Sequence, residues 1–396
     1  MKTPVFIIDE KRLRKNCETL AEVKKAAGCK ILLAQKAYSA WATYPVIAEY
    51  LDGTAASGLY EARLGKEKFG KETHVFSPAY KAEEFDEVLK YADHVVFNSP
   101  RQLRLYAAAA KEKGKSVGLR VNPECSTQSG HAIYDPCAPF SRLGTTIAEF
   151  DESLLPLIDG LHFHTLCEQD SDALETTLNA FTDKFGKYLG GMKWVNFGGG
   201  HHITREGYDI DRLVRCVKRV REEYGCEVYL EPGEAVVLNA GTLVASVLDV
   251  VHNGTDIAVL DASAACHMPD VLEMPYRPPV CGLFSPAPAD AADDLCDYAG
   301  EGYAKVSDAG EPDERGVNCR LAGATCLAGD VVGDWSFDRT PRPGDRIVFG
   351  DMALYTMVKT NTFNGMPLPA IVLRHEDGTV DVVKEFGYED FKSRLS

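Results

Sequence analysis

The chain predicts an α/β protein: a (β/α)8 barrel followed by a second, mostly antiparallel all-β domain of Greek-key-like barrel type. Three observations carry this reading. Between residues 30 and 231, eight short apolar runs alternate with helix-like segments, and such alternation implies right-handed βαβ units and a parallel sheet. Eight of these units favour a closed barrel over an open sheet. Beyond Glu234 helices become few, and strand-like runs separated by turn residues take over, as in an antiparallel domain.

In chain order, Val5–Ile8 reads as a strand and Lys11–Ala27 as a charged helix. The expected barrel strands are Lys30–Ala34, Gly53–Ser57, Thr73–Ser77, His94–Asn98, Ser116–Asn122, Gly160–Thr165, Trp194–Phe197 and Glu227–Glu231. Among the segments between them, Ser99–Lys113, Asp170–Leu189 and Asp209–Tyr224 read as helices, the last with apolar residues at helical spacing. A barrel domain over residues 10–235 and a β domain over 236–396 follow, the latter with strands Val244–Val251, Asp256–Leu260 and Arg346–Phe349. Residues 1–9 join the β domain, because a barrel that begins at Lys30 leaves the first strand unpaired. Residues 286–315, rich in Ala, Asp and Glu and poor in large apolar side chains, read as an exposed, mobile acidic insertion.

The 396 residues suffice for a barrel with an appended domain, and contents of 45% hydrophobic and 26% charged residues are those of a soluble globular protein. The formal charge of -16 argues against nucleic acid and acidic membrane surfaces as partners, and suits a cationic small molecule. The N-terminus lacks the apolar core of a secretory signal, and no run of about 18 apolar residues spans a membrane. Twelve scattered cysteines without a CxxC pair read as buried thiols in a reducing cytoplasm.

Chemistry in a barrel collects at the C-terminal strand ends, and the unusual polar residues fall there. The first barrel strand ends in Gln35 and Lys36. A lone lysine ordinarily just marks a strand's end, but one that is desolvated has a lowered pKa and becomes a carbonyl-reactive amine. Strand six carries His162 and His164 at period two, so both share a face. Strand seven runs into Gly198-Gly199-Gly200 and then His201 and His202. A glycine turn there can approach a ligand closely and form an anion nest, as barrel phosphate sites do after strands seven and eight. Strand eight ends in Glu231-Pro232-Gly233-Glu234. His164 can lie against a planar ring. A metal site built from His162, His164, His201, His202 and Glu231 is the second reading. Glu231 is either a solvated carboxylate or the partner of a pyridine nitrogen. An imine-forming amine, a ring support, a phosphate cradle and an acid together meet the needs of pyridoxal 5'-phosphate.

These residues resemble the group IV pyridoxal-phosphate decarboxylases, the alanine-racemase-like barrels of ornithine, diaminopimelate and carboxynorspermidine decarboxylase. The likeness runs from Pro4 to about Met366, and LDGTAAS, FSRLG, HTLCE, GGGHHIT, EPGE, HMPDVLEMPYRP, GATCLAGD and DMALYTM favour the carboxynorspermidine/carboxyspermidine branch. The resemblance implies that Lys36 holds the cofactor, His164 stacks on its ring, and Glu231 faces the ring nitrogen. It implies that Gly198, Gly199, Gly200 and Tyr355 bind the phosphate. It further implies that Cys326 is a catalytic proton donor supplied across a homodimer interface, with Asp330 of the same segment binding substrate.

Two positions depart from the family pattern. Glu234 stands where the amino-acid decarboxylases usually have an arginine after EPG, and Cys167 where relatives have a serine near the phosphate. Glu234 and Asp270 together suit a carboxylated polyamine with cationic distal amines, unless both simply pair with basic residues such as Arg277. Two acids there would repel the distal carboxylate of diaminopimelate, the nearest alternative substrate. A metal-dependent barrel hydrolase and a non-catalytic cofactor carrier are more distant readings, and the carrier has no need of Cys326 or Asp330.

Overall fold

The computed structural model describes residues 2–128, 132–285 and 309–396, and divides into two compact units, residues 14–236 and residues 1–13 with 237–396. The first strand, β1 (Val5–Asp9), leads into the helix Glu10–Ala27. The barrel strands follow: β2 (Lys30–Ala34), β3 (Gly53–Ala56), β4 (Glu72–Phe76), β5 (His94–Phe97), β6 (Ser116–Arg120), β7 (Gly160–His162), β8 (Trp194–Asn196) and β9 (Glu227–Leu230). All eight pair in parallel in sequence order, and β9 returns to β2 through Lys30↔Tyr229 and Ile31↔Leu230. The closed barrel expected from the alternation is present.

Local chemistry sets the helix boundaries. Ser99 caps Pro100–Glu112 by accepting from the Gln102 N–H at 3.3 Å. The Asp170 carboxylate caps Ser171–Phe185 and also takes the N–H of Asp209 at 3.1 Å, tying that helix to the start of the next, Ile210–Tyr224. Leu213, Cys216, Val217 and Val220 form the buried stripe of the latter helix, and Gly225 ends it at φ +72°. Inside the barrel the Trp194 ring packs against β6 and β7, where the residues are Gly118 and Gly160. A Cβ on Gly160 would lie 2.2 Å from the indole, and one on Gly118 2.4 Å. These glycines make room for a large aromatic.

Among the described residues the second unit holds nine strands: β1, β10 (Gly241–His252), β11 (Asp256–Leu260), β12 (Val280–Phe284), β13 (Val317–Ala322), β14 (Val331–Phe337), β15 (Arg346–Phe349), β16 (Ala370–Arg374) and β17 (Val380–Lys384). The path runs β14-β13-β11-β10-β1-β16-β17, with β15 also on β10 and β12 on β15. Only β1 with β16 and β11 with β13 are parallel. The first strand lies between β10 and β16. Its alternate residues enter two apolar clusters, Phe6 with Leu243, Leu260, Trp335 and Phe349, and Val5 and Ile7 with Val244, Val348 and Val372. A strand buried on both faces reads as a continuous apolar run, as VFIID does.

Of the proposed insertion, residues 286–308 lie outside the described residues. Residues 311–314 are exposed, while their flanks join the sheet: Gly310 exchanges backbone hydrogen bonds of 2.8 and 3.0 Å with Ser336 of β14, and Arg315 N–H donates to the Ser336 hydroxyl.

Candidate active site

Lys36 stands two residues beyond β2, in a turn that its neighbours lock. The Gln35 backbone N–H donates to Ala55 O at 3.0 Å, its side-chain amide donates to Glu61 O at 2.8 Å, and its Oε1 accepts from Tyr44 Oη–H at 3.0 Å. Lys36 is accessible to solvent yet ringed by protein. Loss of hydration and then the positive charge of Arg120 lower its pKa, against the pull of Glu231, Cys167 and Glu234. The result is an accessible amine that is more readily neutral.

His164 follows β7, and the Gly199 N–H donates to its Nδ1 at 2.9 Å. A nitrogen that accepts a hydrogen bond carries no proton, so this ring is neutral with its proton on Nε2. The electrostatics agree: burial, Lys36 and Arg120 hold the pKa well below 6.5. The glycine turn is fitted to this arrangement. Gly198 and Gly200 sit at φ +70° and +80°, and a Cβ on Gly198 would lie 2.6 Å from the Cβ of His164. The same geometry narrows the phosphate-cradle expectation. The Gly198 N–H is spent on Asn196 Oδ1 at 2.8 Å and the Gly199 N–H on His164, so Gly200 is the glycine of the three whose N–H is not used within the turn.

Glu231 continues β9, its N–H donating to Gly198 O at 2.8 Å. Its side chain is 13% exposed, with Oε1 accepting from Asn196 Nδ2 at 2.7 Å and Oε2 3.7 Å from His162 Nε2. Glu234 opens the short helical turn Glu234–Val237, its carboxylate 3.9 Å from His202 Nε2.

Two residues of this rim were missed in the sequence. Arg120, the last residue of β6, is 5% exposed, lies over the Phe76 ring at 4.6 Å and donates to His164 O at 3.3 Å. Burial brings its pKa down to about 10, which leaves it charged at neutral pH. Asn196, the last residue of β8, links the glycine turn to Glu231. The available signal for both was a polar side chain inside an apolar run, Arg120 within Ser116–Asn122 and Asn196 within Trp194–Phe197.

The remaining expected site residues belong to the second unit. Asp270 pairs with Lys359, not with Arg277, whose guanidinium lies 5.5 Å from the Trp335 ring centroid and pairs with Glu311. Asp330 is 3% exposed and accepts from Ser263 Oγ at 2.8 Å, Ala264 N at 2.8 Å and Thr325 Oγ1 at 2.6 Å. Those bonds engage the carboxylate with its own loop, where the resemblance implied a substrate contact. Cys326 is exposed on that loop, its N–H donating to Asn364 Oδ1 at 3.0 Å. Tyr355 holds φ +51° with Lys359 Nζ 5.7 Å from its ring.

The histidines of the second, metal-binding reading do not gather into a ligand set among the described residues. The group of three metal-capable side chains found there is Glu72, His74 and His94, toward the opposite ends of the strands. Lys30 Nζ already lies 2.6 Å from Glu72 Oε1, where a cation would sit, and the two imidazoles stack at 3.8 Å.

The fold and rim together define an alanine-racemase-like barrel enzyme. A family model described as pyridoxal-dependent decarboxylase, C-terminal sheet domain, matches residues 6–353. The Campylobacter jejuni carboxynorspermidine/carboxyspermidine decarboxylase is 44% identical over 394 residues, covering 100% of this chain and 98% of the relative. The enzyme of the same name from Herminiimonas arsenicoxydans is 37% identical over the full length of both. A Synechocystis carboxyaminopropylagmatine decarboxylase is 36% identical over 100% of this chain and 96% of its own. The crystal structure of the Campylobacter jejuni carboxynorspermidine decarboxylase complexed with norspermidine superposes with a TM-score of 0.86 at 43% identity, each chain covered in full. The chain belongs to the pyridoxal-dependent decarboxylases, carboxy-lyases, in the branch of the carboxynorspermidine/carboxyspermidine enzymes.

Proposed function

We propose that the protein releases CO2 from carboxynorspermidine, giving norspermidine, and from carboxyspermidine, giving spermidine, as a cytoplasmic step of polyamine biosynthesis. The observation that carries this reading is the convergence of Lys36, His164 and Glu231 on one barrel rim, in a chain 44% identical from end to end to an enzyme of that name. The rim fits pyridoxal 5'-phosphate: an accessible amine with a lowered pKa, a neutral imidazole, an anchored carboxylate and a glycine turn that any Cβ would break.

When bound, that group supplies an electron sink for the bond to a departing carboxylate. Lys36 holds its aldehyde carbon, His164 supports one face of the ring, and Glu231 keeps a proton at the ring nitrogen. Gly200 and Tyr355 take the phosphate, with Gly198 and Gly199 shaping the turn beneath. Cys326 returns a proton to the carbon that loses CO2. Its exposure supports delivery by the second chain of a homodimer, and Asp330 holds the loop in shape for that task. Eleven free thiols among the described residues support a reducing compartment, and no helix there is long and apolar enough to cross a membrane.

Substrate choice rests on Glu234. Asp270 pairs with Lys359, and Glu234, beside His202, attracts a distal ammonium and repels the distal carboxylate of diaminopimelate. The Synechocystis likeness makes carboxyaminopropylagmatine, which ends in a guanidinium, the substrate to compare. CO2 release is measured on carboxynorspermidine, carboxyspermidine, carboxyaminopropylagmatine and diaminopimelate side by side. The first two should lead in kcat/KM by about tenfold or more. Preference for either of the others overturns the assignment. Glu234→Arg should raise KM for the carboxylated polyamines about tenfold and leave cofactor binding in place.

A further inference from the structure

Below the rim, His162 ends β7 with no account in the chemistry so far. It is 2% exposed, and neither ring nitrogen has a hydrogen-bond partner among the described residues. A buried imidazole with two unsatisfied nitrogens is costly where a phenylalanine would pack without that cost. The register sets its neighbours: Arg120 of β6 and Asn196 of β8 stand opposite it on either side. Phe76 meets its ring edge-on at 5.6 Å. Burial, Arg120, His74 and Lys36 keep the ring neutral, so one of its nitrogens carries a hydrogen and can donate. Nε2 lies 3.7 Å from Glu231 Oε2, while Asn196 holds Oε1. A shift of less than about 1 Å makes that approach a hydrogen bond.

We propose that His162 is a positioning residue for Glu231, donating from Nε2 to Oε2 so that His162 and Asn196 grip the carboxylate from both sides. With both oxygens held, the carboxylate plane is fixed from beneath the rim. The inference rests on the reading above that Glu231 faces the cofactor ring.

The test is a double-mutant cycle in the holoenzyme. It uses His162→Phe, which fills the ring volume without a nitrogen, His162→Gln, which restores a donor, and Glu231→Gln. The kinetics use carboxynorspermidine, and pyridoxal phosphate affinity is read separately on the apoprotein by fluorescence quenching. Glu231→Gln should lower kcat about 100-fold or more. His162→Phe should lower kcat about tenfold with KM changed less than about threefold, and weaken the apoprotein's cofactor affinity. His162→Gln should recover most of that loss. The double variant should be no slower than Glu231→Gln alone, because a residue acting through Glu231 has nothing left to position. Losses that add in full, or His162→Phe with wild-type kcat and affinity, overturn the proposal. Glu231→Gln at wild-type activity instead overturns the underlying reading. If His162→Phe does not fold, His162→Leu takes its place in the same cycle.

Discussion

Asn196 is wholly buried and uses both halves of its amide, Oδ1 accepting from the Gly198 N–H and Nδ2 donating to Glu231. Asn196→Ala orphans a buried N–H and releases the carboxylate. It should cost about 1–3 kcal/mol in urea unfolding of the apoprotein and weaken pyridoxal phosphate binding. Asn196→Asp keeps an acceptor for Gly198 but sets a second carboxylate against Glu231 at the 2.7 Å contact. It should therefore bind the cofactor more weakly than Asn196→Ala, measured by fluorescence titration. The opposite order of affinities would mean that the link to Glu231 matters less than the glycine turn. Lys36 and Glu231 were legible in the sequence because each ends an apolar strand. Arg120 and Asn196 fell inside their expected strands, Ser116–Asn122 and Trp194–Phe197, where an arginine or asparagine reads as an outward-facing strand residue. Only the fold shows that both point into the rim. Likewise GGG signalled a glycine turn, while the sequence could not reveal that two of its N–H groups are turned inward to His164 and Asn196.

At the scale of elements, β7 and β8 stop earlier than alternation suggested, at His162 and Asn196. Past these points the chain leaves the ladder to build the rim, although Phe163 N–H still reaches Asn196 O at 2.9 Å. Apolar pattern registers burial, and burial continues where pairing ends. The β unit was harder to read: β12, β13, β14, β16 and β17 were not anticipated. Arg320 of β13 and Asp334 of β14 pair across the sheet at 2.7 Å and interrupt the apolar alternation of both strands. The β16–β17 hairpin did carry a turn signal in Asp377-Gly378, with His375 N–H on Thr379 O at 2.8 Å closing it. The Trp194 layer gives the sharpest prediction at this scale. Gly160→Ala places a methyl against the indole and should destabilise the protein by about 1–3 kcal/mol. Trp194→Phe should recover part of that loss in the double variant, whereas additive losses would show that the glycine serves some purpose other than room for the ring.

For the molecule as a whole, the Glu72–His74–His94–Lys30 group contributes to the response to acid beside the other imidazoles that burial holds down, His162, His164, His201 and His267. His94 is held down to about 2, chiefly by burial and then by His74, so the unfolded chain takes up its proton first as pH falls below 6.5. Glu72 is held down to about 2 by hydrogen bonds from His74 and Lys30 acting against burial, so its contribution is lost between about 4.5 and 2. In both cases the unfolded state binds more protons, and stability falls with pH over the named windows. The thermal midpoint should decline from about pH 6.5 downward, and His94→Phe should flatten the part of that decline above about pH 4.5. An unchanged slope would place the acid-sensitive group elsewhere. His94 starts β5, at the strand ends opposite Lys36, and activity of His94→Phe at neutral pH should stay near wild type.

The central claim is that one particular amine, Lys36, carries the cofactor at the rim of the barrel. Reduction of the pyridoxal phosphate-loaded protein with borohydride, followed by peptide mapping, tests it most directly. The account predicts loss of the visible absorbance with the pyridoxyl mass on the peptide containing Lys36, and neither signal in Lys36→Ala. Label on another lysine, or absorbance that survives in Lys36→Ala, would contradict it.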